Sequence, residues 1–318
     1  MPAHVKTLAE CNRDEEYDQS EIARAYNKAG ERYRRYADGN IGKLFVFDGP
    51  YAYSDRQTWA VIETCLHRLR LSGVRHLRLL DLGCGPGTWL RRTVTRARQM
   101  GFTEISARGL DLSESQIRWA RMLSDPLSSA KGITLTYEVE NITNGLRQAD
   151  KNVDICLCLY GVLNHVPIDG LTRILQEIAR VTTHSLIATV RAIGSAPTIY
   201  VDGVAAARSF KQDNNSGRLD VEFQNGSKAS FDSHLFSRDT IKTAIVDSME
   251  IEDIRGLDFF HGRFANDPRW NPPTVAFSEH FSRELEALEQ RYSHDPEFMD
   301  HATHLLFVAR PRALAAAA

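Results

Sequence analysis

The stretch Leu79-Leu-Asp-Leu-Gly-Cys-Gly-Pro-Gly-Thr88 concentrates the residue types that could grip a ligand. An apolar run leads to an acid, Asp81, and then to three alternate glycines, Gly83, Gly85 and Gly87. Glycine lets a backbone turn sharply and approach a ligand, and the first N–H groups of a following helix have no partner inside it. A plain strand-to-helix turn would not need three such glycines with an acid ahead of them. The competing reading is a dinucleotide site, which also places a glycine-rich turn after a first strand. Here the spacing is G-x-G-x-G, and Thr88 stands where the third glycine of G-x-G-x-x-G would fall. A carboxylate at position 81 would repel a pyrophosphate but attract the α-ammonium of an amino-acid-bearing cofactor.

These residues need a frame, and the hydrophobic pattern supplies one. Short apolar runs at Leu77–Leu82, Ile105–Leu110, Ile133–Val139, Val153–Leu159 and Ser185–Val190 alternate with amphipathic helices near Thr88–Met100, Glu114–Leu123 and Gly170–Val181. That alternation is the signature of βαβ units around a parallel sheet. Ser113-Glu-Ser-Gln116 has capping-box spacing. Before this core the chain reads as helical. Ser20 caps a helix with Ile22, Tyr26, Ala29, Tyr33 and Tyr36 on one face, and Ser54 caps another that ends at Gly73. After the core, Arg218–Phe223 and Ala229–Phe236 read as a hairpin around Asn225-Gly226. A five-residue loop pairing Val221 with Phe231 keeps its apolar residues on one face, whereas a two-residue turn would not. Strands near Met249–Ile254 and His304–Ala309 close the chain.

Asp81-Leu-Gly-Cys-Gly-Pro-Gly87 resembles motif I of the class I S-adenosylmethionine-dependent methyltransferases. Gly109-Leu-Asp-Leu-Ser113 continues the resemblance, which implies that Asp111 holds the ribose hydroxyls, a task suited to two acceptor oxygens. It further implies that Asn141 and Ile142 lie beside the adenine, with Asn141 replacing the usual Asp. The segment from Leu159 through Tyr160, Asn164 and His165 would line the cofactor and acceptor pocket. The fold implied is α/β and Rossmann-like: a seven-stranded, mainly parallel sheet with helices on both faces, an N-terminal helical cap and an inserted hairpin. Residues 1–75 would form the cap, 76–193 the cofactor-binding core, 194–248 the insertion over the site and 249–312 the strands and helix that complete the sheet.

The expected cofactor-binding residues are Asp81, Gly83, Cys84, Gly85, Gly87, Asp111, Leu112, Asn141, Ile142 and Leu159, with Tyr26 and Tyr33 closing over them. S-adenosylmethionine is the expected cofactor and S-adenosylhomocysteine the product. For a hydroxyl acceptor a base is useful, and His165, Tyr160 and His234 are the catalytic candidates. A structural role for His165, ahead of Pro167, stays open, as does a packing role for His234 and His261.

Bulk properties narrow the acceptor. With 39 Lys and Arg against 41 Asp and Glu, the formal net charge is −2, so no long-range positive field draws in nucleic acid. Five cysteines among 318 residues do not form a dense disulfide framework, and no apolar run approaches a membrane span. The expectation is a cytoplasmic enzyme, monomer or homodimer, with a small-molecule acceptor and no nucleic-acid or membrane partner. Methylation of RNA or protein, and a non-catalytic cofactor-binding partner protein, are the alternatives. Cys156-x-Cys158 lies within a strand and has no nearby second pair, so no zinc is expected. Asn271-Pro-Pro-Thr274 lacks the aromatic end and the position of an N-P-P-Y motif and reads as a proline loop.

Overall fold

The computed structural model describes residues 21–27, 44–47, 51–195, 207–213, 215–264, 269 and 275–312. Residues 21–27 are helical and are labelled α1. The core then runs α2 (Ala52–Leu71), β1 (His76–Leu82), α3 (Thr88–Gln99), β2 (Glu104–Asp111), α4 (Glu114–Ser128), β3 (Ile133–Val139), β4 (Val153–Cys158), α5 (Leu171–Val181) and β5 (Thr182–Arg191). Three strands follow, β6 (Ala207–Asp213), β7 (Arg218–Phe223) and β8 (Lys228–Asp232), then α6 (Arg238–Ile245), β9 (Met249–Leu257), α7 (His261–Phe264), α8 (Val275–Tyr292) and β10 (His304–Pro311).

Seven strands form one sheet in the order β3-β2-β1-β4-β5-β10-β9. The four pairings from β3 through β5 are parallel, and β10 inserts antiparallel between β5 and β9. β4 is buried along its whole length, as expected for a central strand covered on both faces. Along β1 the pleat sends Leu77 and Leu79 to the side of α2 and α3, while Leu80 and Leu82 join the cluster under α5 and α6. This is the α/β, Rossmann-like arrangement, a seven-stranded and mainly parallel sheet, that the resemblance implies.

Some boundaries differ from the sequence reading. α2 begins two residues before Ser54, whose hydroxyl donates to the Tyr51 carbonyl inside the first turn rather than capping the helix. α4 continues through Pro126 in its last turn, which has no N–H to give the Met122 carbonyl one turn back. The insertion is a three-stranded sheet, β6-β7-β8, and not a hairpin alone. Its turn has a three-residue loop: Val221 faces Ala229, Leu219 faces Phe231, and the Phe223 amide donates to Ser227. The expected register is off by two residues, an even slip that leaves every side chain on its intended face. Gly226, at φ +79°, takes the left-handed position such a loop requires, and Asn225 accepts from the Ser227 amide and hydroxyl. Ser20, Tyr33, Tyr36 and Asn271-Pro-Pro-Thr274 lie outside the described residues.

Close packing beneath the cofactor loop yields a stability test. A Cβ added at Gly109 would fall 2.6 Å from the Tyr137 ring and 2.8 Å from Cys84 Sγ, both deep in the core. Gly109→Ala should destabilise the fold by roughly 1–3 kcal/mol through overpacking. Thermal unfolding of the two proteins should show a melting temperature lowered by several degrees.

Candidate functional site

The turn after β1 owes its shape to Gly83, Gly85 and Gly87, all at positive φ (+65°, +53° and +75°). A side chain at Gly83 would collide with Val162 after β4, and one at Gly87 with the Tyr137 hydroxyl. At Gly85 a Cβ would meet nothing within 4 Å: this glycine faces open space. That space is a cleft of about 810 Å³. Gly83 and Gly85 floor it, Asp111, Leu112 and Gln116 form one wall, and Asn141, Ile142 and Thr143 another. Leu159, Tyr160, Val162 and His165 close the far side, with Ile22 and Tyr26 of α1 above.

Asp111, at the end of β2, is oriented by backbone donors. Gly85 donates to Oδ2 at 2.9 Å and Ser113 to Oδ1 at 2.8 Å. Burial raises its pKa, and these amides oppose the rise. The Ser113 amide has a further consequence. In a full capping box the Gln116 side chain would accept from it, but Asp111 has taken that donor. Ser113 still caps α4 by accepting from the Gln116 amide at 3.3 Å. The Gln116 carboxamide, 2% exposed, is left without a partner on either of its polar atoms while lining the cleft. The capping-box spacing gave Gln116 a local role and concealed this one.

Asp81 lies behind the lining. It is 2% exposed, its Oδ2 has no hydrogen-bond partner, and burial followed by the nearby Asp111 charge pushes its pKa well above the usual carboxylate range. Cys84 and Gly87 also lie off the cleft, contrary to a direct lining role. The Cys84 thiol packs into the core, where burial raises its pKa well above normal, and Gly87 starts α3. Asn141 lines the cleft but spends its Oδ1 on the Thr143 amide and hydroxyl, leaving its NH2 group as the remaining polar function.

His165 reaches the same cleft from a one-turn 3-10 helix, Val162–His165. Its Nδ1 is 2.8 Å from the Asp232 carbonyl, so this nitrogen carries the proton and donates. Its Nε2 is 2.8 Å from the Tyr26 hydroxyl, which then donates to it. Burial lowers the imidazole pKa to about 4, so the ring is neutral at physiological pH. Tyr26 thus stands with His165 as well as over the cofactor end.

Tyr160 and His234 do not take the acid–base roles expected of them. The Tyr160 hydroxyl donates to the buried Asp55 of α2, and the residue also borders the cleft. Its backbone, at φ +58°, turns sharply after β4 and is pinned to the Thr189 hydroxyl. His234 packs against Gly217, away from the cleft lining, and burial lowers its pKa. Asn164, fully buried, is a structural tie: its amide donates to the Arg191 and His234 carbonyls and accepts from the Arg191 amide.

Residues 79–185 match the family described as a methyltransferase domain. Over those residues the chain carries a methyltransferase domain. No curated protein sequence matched. Among solved structures, an S-adenosylmethionine-dependent methyltransferase from Clostridium acetobutylicum ATCC 824 is similar, with 10% identity, 87% of this chain and 98% of that one covered, and a TM-score of 0.51. Magnesium protoporphyrin IX methyltransferase from Synechocystis PCC 6803, with bound S-adenosylmethionine, is similar at 13% identity, 98% and 100% coverage and a TM-score of 0.50. At such identities these likenesses concern the fold.

The cofactor of the methyltransferase domain is S-adenosylmethionine, and the residues present fit it. Space opens before Gly85, the Gln116 amide lacks partners, and the orphaned Asp81 carboxylate calls for positive charge. Asp111→Ala should weaken S-adenosylhomocysteine binding about 10- to 100-fold, the worth of charge-assisted hydrogen bonds. Gln116→Ala should weaken it several-fold, and Gly85→Val should abolish it. Calorimetric titration of the folded variants checks all three, and wild-type affinity in each would refute the assignment.

Proposed function

We propose that this protein transfers a methyl group from S-adenosylmethionine to a nitrogen or oxygen of a small-molecule acceptor. One observation carries the reading: the Gly85–Asp111–Gln116 end and the Tyr26–His165 pair line one continuous cleft. Asp111 would hold the ribose hydroxyls, the Asn141 NH2 group and Ile142 would meet the adenine, and Asp81, behind the glycine turn, would favour the α-ammonium from a distance without touching it. Leu112 and Leu159 supply apolar walls. The bound cofactor supplies an already activated methyl group on a sulfonium.

What remains for the protein is alignment, exclusion of water and disposal of one proton. The ring of His165 is fixed by the Asp232 carbonyl and keeps a free-base Nε2 at neutral pH. Through the Tyr26 hydroxyl it can accept the proton of an acceptor hydroxyl, with the Tyr26 proton passing to Nε2 as the new one arrives. A neutral amine needs only the alignment. The formal charge of −2 and an apolar cleft wall favour a small acceptor over RNA. A fold relative named for magnesium protoporphyrin IX points the same way.

We further propose that α1 and the small sheet cover the site, as the expected division at residues 1–75, 76–193, 194–248 and 249–312 would have it. Cys65, Cys84, Cys156 and Cys158 are free thiols, which suits a reducing cytoplasm. No helix among the described residues is long and apolar enough to cross a membrane.

His165→Gln and Tyr26→Phe should each lower turnover at least tenfold on a hydroxyl acceptor found by screening phenols, carboxylic acids and amines for one-methyl mass gains. Cofactor affinity should change little in His165→Gln, and full turnover in both variants would refute the relay. The same residue predicts a pH effect on stability. Its folded pKa of about 4 lies below the ordinary histidine value near 6.5, so the unfolded chain binds the extra proton between them. The contribution is complete above about pH 6.5 and is lost as pH falls towards 4. Denaturant titrations of His165→Gln should show a shallower loss across that window.

A further inference from the structure

An adenine base carries one exocyclic donor, its 6-amino group, beside the ring acceptor N7. The wall of the cleft after β3 is poorly supplied with acceptors for that donor. Asn141 Oδ1 already accepts from the Thr143 amide at 3.0 Å and the Thr143 hydroxyl at 2.8 Å, which fills both of its lone pairs. The carbonyls of the one-turn 3-10 helix beside it are engaged as well. Asn141 accepts from the Asn144 amide, Ile142 from the Gly145 amide and Thr143 from the Arg173 guanidinium. What Asn141 still offers is its NH2 group, a donor, where an aspartate would have offered an acceptor.

On the other wall Gln116 stands in the first turn of α4, 2% exposed, with neither Oε1 nor Nε2 in a hydrogen bond. Gln116 and Asn141 line the same cleft. A buried carboxamide without partners is costly, and its acceptor and donor lie on one planar group. That pair matches the amino group and N7 of adenine, which a glutamine side chain can engage together. The other lining side chain with a buried, unbonded acceptor among the described residues is Glu140. Its carboxylate lies 3.8 Å from Arg108 and 3.9 Å from Arg147, and it has no donor to give N7. The Asp111 oxygens are already oriented by the Gly85 and Ser113 amides.

We propose that the Gln116 carboxamide selects the base of the cofactor, with Oε1 accepting from the adenine 6-amino group and Nε2 donating to N7. Recognition of the amino group thus passes from the segment after β3 to α4, because Asn141 has spent its acceptor on Thr143. This rests on the methyl-transfer reading and names the residue and the base atoms that give that site its specificity.

The test is calorimetric titration of the full chain with S-adenosylhomocysteine and two base analogues of it. One has hydrogen in place of the 6-amino group, and the other is the 7-deaza compound; both keep N1. Each analogue should bind the wild type about three- to tenfold more weakly, the worth of one hydrogen bond. Gln116→Leu, close in size and a good helix former, should bring all three ligands within about twofold of one another. Glu140→Gln should leave both preferences in place. Parity of the three ligands in the wild type would overturn the proposal without need of a variant. So would preferences that survive Gln116→Leu, or a preference for the amino group that is lost in Glu140→Gln instead. Parity with S-adenosylhomocysteine still bound would overturn this inference alone, whereas no binding of S-adenosylhomocysteine at all would overturn the methyl-transfer reading with it.

Discussion

The hydrogen bond from the Gly85 amide to the Asp111 carboxylate joins the two strand ends between which the cleft opens. It exists because β1 and β2 pair in parallel with Leu82 beside Leu110, and because the Cys84 amide extends that ladder by donating to the Leu110 carbonyl. A one-residue slip between these strands would turn Asp111 to the opposite face and leave the glycine turn without its acid. The same carboxylate takes the Ser113 amide, which leaves the Gln116 side chain unpartnered in the cleft. One geometric tie thus arranges three polar groups.

The electrostatics of this corner decide between the two cofactor classes that a glycine-rich turn can serve. Asp81 and Asp111 are both driven towards protonation by burial, and Asp81 is driven further by its neighbour. A pyrophosphate would add like charge to an already unfavourable pair, whereas a cationic ligand end would relieve it. The backbone amides alone, which suit any anion at a helix N-terminus, do not carry this distinction.

How much of this could be read from the sequence follows the range of the interactions. All seven strands of the main sheet were legible, because β1 to β5, β9 and β10 carry apolar periodicity that few other structures accommodate. β6 was not: Ala207-Arg-Ser-Phe-Lys-Gln-Asp213 is mostly polar, as suits the edge strand of a small sheet. The β7–β8 register could be read only to within an even slip, since face parity was the sole constraint applied. Tyr160, His234 and Asn164 were legible as polar residues near the site but not in their allegiances. Those depend on Asp55, Gly217 and Arg191, which the fold brings in from elsewhere.

This difference in range also separates the two ends of the cleft physically. The cofactor end is tied by a contact spanning 26 residues, whereas His165 meets Tyr26 across 139 and Asp232 across 67. The long contacts require the small sheet to be in place: Ile22 and Ala25 of α1 pack on Leu219, Val221 and Phe231, and Leu112 joins that cluster from the cofactor wall. α1 therefore reaches His165 by docking on a sheet whose only covalent link to the core is the chain after β5 and before α6. Loop-closure entropy favours the local end forming first, and the acceptor end is completed when the apolar contacts of α1 with the small sheet offset the cost of ordering both. Leu112 belongs to both the cleft wall and that cluster, so the packing of α1 on the small sheet is continuous with the wall of the cleft.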